Sequence, residues 1–176
     1  MGYSIIFKTK IVCLSDGRIL HLSLSGCNND TEGRKADDWT GKIYTKEDFI
    51  KYAESFKTDS KPFKDSDGFD LKIGSRYCTY YDYGMHLLRM LKRVISFDEL
   101  THSGRYVSFS KVDGVTVFEP PKRREMSMKE FGSYYYDHIY NSGGKYRINY
   151  TLLETENDIV TAFDSGESVR VYISPY

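Results

Sequence analysis

A chain of 176 residues is long enough to bury a core without disulfides or a metal, and its 25 basic and 25 acidic side chains exclude two simple roles. A general DNA coat would be basic, because phosphate neutralisation supplies its affinity, and a protein that imitated DNA throughout would be acidic. The charge is uneven nonetheless: residues 84–124 hold eight Lys/Arg against four Asp/Glu and residues 150–176 one against five, a polarity that would orient a charged partner.

Three cysteines, Cys13, Cys27 and Cys78, are odd in number and widely spaced, the pattern of reduced thiols in a reducing compartment. No stretch approaches the roughly 20 apolar residues that span a bilayer, and residues 1–14 carry lysines inside their apolar run rather than ahead of it. The expectation is a cytoplasmic protein with no export signal and no membrane partner. Sixteen tyrosines stand out. A rigid apolar ring with a hydroxyl at its tip suits a surface that grips another macromolecule, once the needs of a core are met.

Residues 3–14 and 18–24 read as two strands joined by Asp16-Gly17, with Leu20, Leu22 and Leu24 on one face. Residues 25–42 are polar and contain three glycines, which predicts a long loop with Trp39 as its only large apolar anchor. Thr45 and Asp48 resemble a capping box, and Phe49, Ile50, Ala53 and Phe56 then fall on one side of a helix over residues 46–57. After a polar loop, residues 69–80 supply one or two short strands broken at Gly74-Ser75. Asp82 is placed to cap a second helix, in which Leu87, Leu88, Leu91 and Ile95 point one way and His86, Arg89 and Arg93 the other.

Residues 106–112 and 115–118, joined by Asp113-Gly114, predict a second hairpin with Val107 and Phe109 on one face, ended by Pro120-Pro121. Ser127 and Glu130 form a capping box for a third helix over residues 128–140. A strand over residues 145–153, a brief helix over residues 156–163 closed by Gly166, and a last strand marked by Val169, Val171 and Ile173 complete the chain. The predicted fold is α+β: one domain, with possible halves at residues 1–100 and 101–176. Two Asp-Gly hairpins and further strands form a mainly antiparallel sheet with three to four short helices. Two hairpins that each lead into a helix also admit a distant internal duplication.

Chemistry is sparsely signalled. A thiolate nucleophile needs an imidazole within hydrogen-bond reach, and Cys27 or Cys78 could meet His21, His86, His102 or His138, but no local motif pairs them. Cys13 is expected on a strand face with Ile5, Phe7 and Ile11 as a small core residue. Close ligand pairs of the zinc type are missing, and the acidic stretches at residues 30–38 and 65–68 do not complete a calcium loop. Neither a Walker sequence nor Gly-x-Gly-x-x-Gly occurs. The sequence thus assigns no catalytic residue, no metal and no cofactor.

Basic residues interleaved with aromatics are the signal that remains. Arg89, Lys92 and Arg93 lie along the second helix, Lys122-Arg123-Arg124 follows the proline pair, and Lys129, Tyr136 and Tyr140 lie away from the apolar face of the third helix. Arginine for phosphate or carboxylate and tyrosine for stacking is the mixture expected where a protein meets RNA, DNA or a ribonucleoprotein. The competing interpretation of each cluster is a merely solvated helix face.

Over His21–Phe56, HLSLSGCNNDTEGRKADDWTGKIYTKEDFIKYAESF, the chain resembles small accessory proteins of bacterial phages, plasmids and conjugative elements, and among these the anti-CRISPR proteins that inhibit Cas9. The resemblance implies a non-enzymatic inhibitor whose partner is Cas9 with its guide RNA, and which prevents target DNA binding or cleavage. Such inhibitors share a task and not a motif, so the resemblance assigns no residue. Two other expectations stand beside it. One is a nucleic-acid-binding accessory or regulatory protein of a plasmid or phage, and the other is a Cys/His-dependent enzyme. A thiol, an imidazole and a carboxylate gathered at the bottom of a deep cavity would put the enzyme first.

Overall fold

The structure, a computed structural model, describes residues 5–27, 37–64, 70–73, 76–102, 107–117 and 146–173. The chain is α+β with mainly antiparallel strand pairing, and it divides into two compact units, residues 1–35 with 41–100 and residues 36–40 with 101–176.

In the first unit β1 (Ile5–Cys13) pairs antiparallel with β2 (Ile19–Cys27) along its whole length. The turn between them is built on Gly17, whose φ of 88° is open to glycine at no steric cost. Gly17 N donates to Leu14 O and Leu14 N donates to Arg18 O, while the Asp16 carboxylate accepts from Arg18 N at 3.0 Å and Arg18 Nε at 2.8 Å. The predicted Asp-Gly turn at this position is therefore present.

Within the predicted loop over residues 25–42, residues 25–27 and 37–42 are strand instead. β2 runs on to Cys27, and β3 (Asp37–Tyr44) carries Trp39, which is buried in a strand. Ladder hydrogen bonds outweigh the weak strand propensity of Gly26 in β2 and of Asp37, Asp38 and Gly41 in β3. α1 (Lys46–Ser55) follows, with Thr45 Oγ1 accepting from Asp48 N at 3.1 Å, and a single 3₁₀ turn at Phe56–Thr58 ends it. β4 (Leu71–Ile73) runs parallel to β1, and β5 (Arg76–Tyr77) pairs antiparallel with β4.

α2 (Tyr80–Leu91) starts earlier than Asp82 implies. Thr79 is its cap: Thr79 Oγ1 accepts from Asp82 N, and the Asp82 carboxylate accepts from Thr79 N, which makes Asp82 the third helical residue of a full capping box. The helix ends at Leu91, short of Ile95, which lies in β6 (Ile95–Ser96), parallel to β1; α3 (Phe97–Thr101) comes next. Neither β6 nor α3 is signalled by periodicity, because elements of two and five residues are too short to show one.

The core of this unit is largely aromatic. Phe49, Ala53, Phe63, Leu71, Tyr83 and Leu87 cluster with Ile11 and Ile19, and Tyr44, Tyr52, Phe56 and Tyr80 pack against them. Ring pairs run through the cluster: Tyr44 stacks on Tyr52 at 5.3 Å, Tyr52 meets Phe56 edge-on at 5.0 Å, Phe56 meets Tyr83 at 4.9 Å, and Tyr83 stacks on Phe63 at 4.3 Å. Part of the tyrosine surplus is thus core material, each such pair adding about 0.5–1.5 kcal/mol beyond its buried area. Cys13 is exposed, contrary to the expected core position, because it ends β1 beside the turn, two pairs beyond the buried Ile11–His21 pair.

In the second unit β7 (Val107–Val117) pairs antiparallel with β8 (Tyr146–Leu153) on one side and β9 (Val169–Ile173) on the other, and residues 37–39 of β3 pair with β9. Here the second hairpin is overturned. Asp113-Gly114 lies inside one continuous strand, at a register shift between Val112 and Gly114. β8 offers partners on both sides of that point, so the ladder continues past it as a bulge and the chain does not reverse. With it goes the basis for an internal duplication.

α4 (Glu156–Asp164) is capped by Thr155, whose Oγ1 accepts from Asp158 N at 3.0 Å. It ends in a Schellman motif: Gly166 has φ 73°, Gly166 N donates to Phe163 O, and Glu167 N donates to Ala162 O. Val107, Phe109, Leu153, Ile159, Ala162, Val171 and Ile173 are buried. The third predicted helix, residues 128–140, lies outside the described residues.

Candidate functional site

Two short segments of the first unit, β5 with Cys78 and the outer face of α2, enclose a pocket of about 310 Å³. On α2 the lining residues are Tyr81, Asp82, Met85, His86 and Arg89, a stripe at intervals of three and four that a helix gathers on one face. Ile73, Arg76, Tyr77 and Cys78 form the opposing wall.

The first turn of α2 is fixed from several directions. Tyr80 N donates to Lys61 O and Tyr81 N to Asp59 O, so amides left free by the helix start are bonded to the preceding loop, and the Thr79–Asp82 box ties up others. These bonds fix the Tyr81 backbone while leaving its ring 43% exposed. Tyr77, on β5, is 63% exposed, and Lys72 Nζ stands 4.5 Å from its ring centroid. Tyr77 and Tyr81 are the most exposed aromatic rings among the described residues, and both line the pocket.

Charge at the site is carried by Arg76 and Arg89, both exposed, and neither guanidinium has a carboxylate partner among the described residues. His86 is half-buried, and burial, followed by the nearby Arg89, lowers its pKa below that of an ordinary imidazole. It therefore adds a neutral flat ring at neutral pH.

Cys78, Asp82 and His86 also share this pocket, the three residue types a cysteine enzyme uses. Their arrangement does not activate the thiol. Cys78 Sγ donates to Leu71 O at 3.7 Å, and burial, then Asp82, pushes its pKa up to about 11. The Asp82 carboxylate accepts from Thr79 N and Oγ1, and Asp82 is exposed at the rim rather than buried behind an imidazole. No hydrogen bond among the described residues joins any two of the three. Among the described residues no group of three or more His, Cys, Asp or Glu side chains could hold a metal ion. No helix there is long and apolar enough to cross a membrane.

Of the residues expected from sequence to bind a partner, Arg89 lines the pocket, and Lys92 and Arg93 continue the same helix surface past its end, both exposed. Lys122, Arg123, Arg124, Lys129, Tyr136 and Tyr140 lie outside the described residues. Arg76, Tyr77 and Tyr81 were not legible as site residues. Tyr81 could have been found by starting the helix at Thr79, which puts Tyr81, Met85 and Arg89 in one row four residues apart. The segment His21–Phe56 supplies core residues such as Phe49 and Ala53 and none of the pocket.

Comparison with protein-family models, curated proteins and solved structures finds no match.

Proposed function

We propose that this chain is a non-enzymatic binding protein that grips an anionic macromolecular partner through the basic and aromatic face of α2. The observation that carries this reading is the meeting of two guanidiniums without a carboxylate partner among the described residues, Arg76 and Arg89, with two exposed rings, Tyr77 and Tyr81, around one pocket. Arginine supplies bidentate donors for phosphate, and an exposed tyrosine supplies a flat surface with little entropy to lose. Lys92 and Arg93 extend the positive surface beyond the pocket.

The partner's identity rests on the resemblance of residues 21–56: Cas9 bound to guide RNA, held so that target DNA is not engaged or not cut. A neutral chain suits this role only through a local patch, because it lacks the overall negative charge of a DNA mimic. Purified protein titrated into Cas9 with guide RNA should reduce target cleavage with a stoichiometric end point. Unchanged cleavage at large molar excess defeats the proposal.

The presence of Cys78 and His86 in the same pocket favours a second reading, a cysteine-dependent enzyme. It ranks lower because the thiol is protonated and bonded away from the imidazole. Inhibition by far less than one equivalent, lost in Cys78→Ser, would reverse the order.

A further inference from the structure

We propose that the pocket between β5 and α2 receives one unpaired nucleotide of a single-stranded nucleic acid. Its base rests against the rings of Tyr77 and Tyr81 and its phosphate is held by Arg76 and Arg89. The inference deepens the binding reading above and rests on it, since it names what the α2 surface would hold in a ribonucleoprotein.

Size comes first. A volume of about 310 Å³ is at the lower limit of small-molecule pockets, about 300–1,000 Å³, which suits one nucleotide and not a duplex or a folded peptide. The chemistry of the walls then selects the class. Single-stranded nucleic acid is recognised by stacking unstacked bases on aromatic rings or guanidinium planes, with cations tracking the backbone. Both elements are present: Lys72 Nζ stands 4.5 Å from the Tyr77 ring centroid, yet Tyr77 remains 63% exposed. The two rings are the most exposed aromatics among the described residues, and the two guanidiniums have no carboxylate partner there.

The carboxylate in the pocket does not spoil this charge. Asp82 is bonded to Thr79 N and Oγ1 at the start of α2, where the helix dipole favours an anion, so its charge is answered within the helix. Ile73 and Met85 supply the apolar floor that a base covers when it leaves water. An acidic peptide would use the two arginines but would leave two broad exposed rings without a flat partner. Beyond the pocket, Lys92 and Arg93 give the next phosphates a positive path along the end of α2.

The test uses the full chain without Cas9. A fluorescein-labelled eight-residue oligouridylate is titrated by fluorescence anisotropy at low and moderate salt, with uridine monophosphate and a polyglutamate peptide as competitors. Tyr81→Ala should weaken binding about 5- to 100-fold, the usual effect of removing one stacking platform. Arg89→Gln should lower affinity and reduce the salt slope by about one. Both side chains are exposed, and unchanged thermal unfolding would show that both variants fold.

Absent binding, binding untouched by both variants, or displacement by polyglutamate as effective as that by the nucleotide each overturn the proposal. The two readings separate cleanly. Oligonucleotide binding lost in both variants, with Cas9 cleavage left uninhibited, keeps the pocket and removes the nuclease partner. Inhibition of cleavage that survives in both variants keeps the partner and removes the pocket.

Discussion

Gly84 on α2 lies against Ala53 on α1 so closely that a Cβ at Gly84 would come within 2.5 Å of the Ala53 carbonyl oxygen. The two helices cross in backbone contact at this point, with Phe49, Ala53, Tyr83 and Leu87 buried around it. Because α2 carries the pocket on its other side, this crossing sets where Tyr81 and Arg89 stand.

Gly84→Ala is accordingly expected to destabilise the protein by about 1–3 kcal/mol, the range for forcing atoms into a filled interior. In an exposed helix the same change would stabilise by about 1 kcal/mol through helix propensity. The sign therefore decides the matter. Urea denaturation followed by circular dichroism measures it, and a rise in midpoint would mean that the helices are not in contact at Gly84.

Acid should weaken the first unit through His21. Its Nε2 is 2.9 Å from Thr9 Oγ1, and since that hydroxyl donates to Leu22 O at 3.3 Å, the imidazole Nε2–H is the donor. The ring is buried, with Phe49 edge-on to it at 5.4 Å. Burial, then His86, lowers its pKa from 6.5 to about 4. The unfolded chain therefore binds a proton that the folded chain refuses, and stability falls as pH drops from 6.5 and levels off below about 4. The loss attributable to His21 is roughly 3 kcal/mol. His86, lowered as well, adds to it in the same direction. Stability curves of wild type and His21→Gln across this range should converge toward acid; parallel curves would remove His21 as the cause.

Thiol reactivity should separate the cysteines. Cys13 is exposed, whereas Cys78 is buried, donates to Leu71 O, and has its pKa pushed up to about 11. The thiolate is the reactive form, so at pH 8 iodoacetamide should modify Cys13 well before Cys78. Peptide mapping by mass spectrometry after timed labelling reads the order directly. Preferential labelling of Cys78 would mark an activated thiol and strengthen the enzyme reading.

Several elements were legible in the residues because a local cause produces them. Asp16-Gly17 between two apolar runs makes a turn wherever those runs pair, and Thr45 holds a hydroxyl that satisfies the amide three residues on. The cap of α2 was nevertheless placed at Asp82, because Thr79 and Asp82 both offer oxygens and only the bonds formed between them fix which residue is the cap. Asp113-Gly114 misled for the opposite reason: the dipeptide permits a reversal, and the neighbouring strand β8 decided against it.

The site divides in the same way. Arg89 was visible as a charge on the far side of an apolar helix face, a matter of period alone. Arg76 and Tyr77 were hidden in a two-residue strand with no pattern to read, and they reach the pocket only because β5 pairs with β4. Composition and spacing determined an α+β chain with a basic α2, since those follow from each residue's own propensity and polarity. Which tyrosines entered the core, as Tyr83 did, and which stayed in water, as Tyr77 and Tyr81 did, was decided by tertiary packing: helix faces and strand pairings far apart in sequence set how much of each ring is covered.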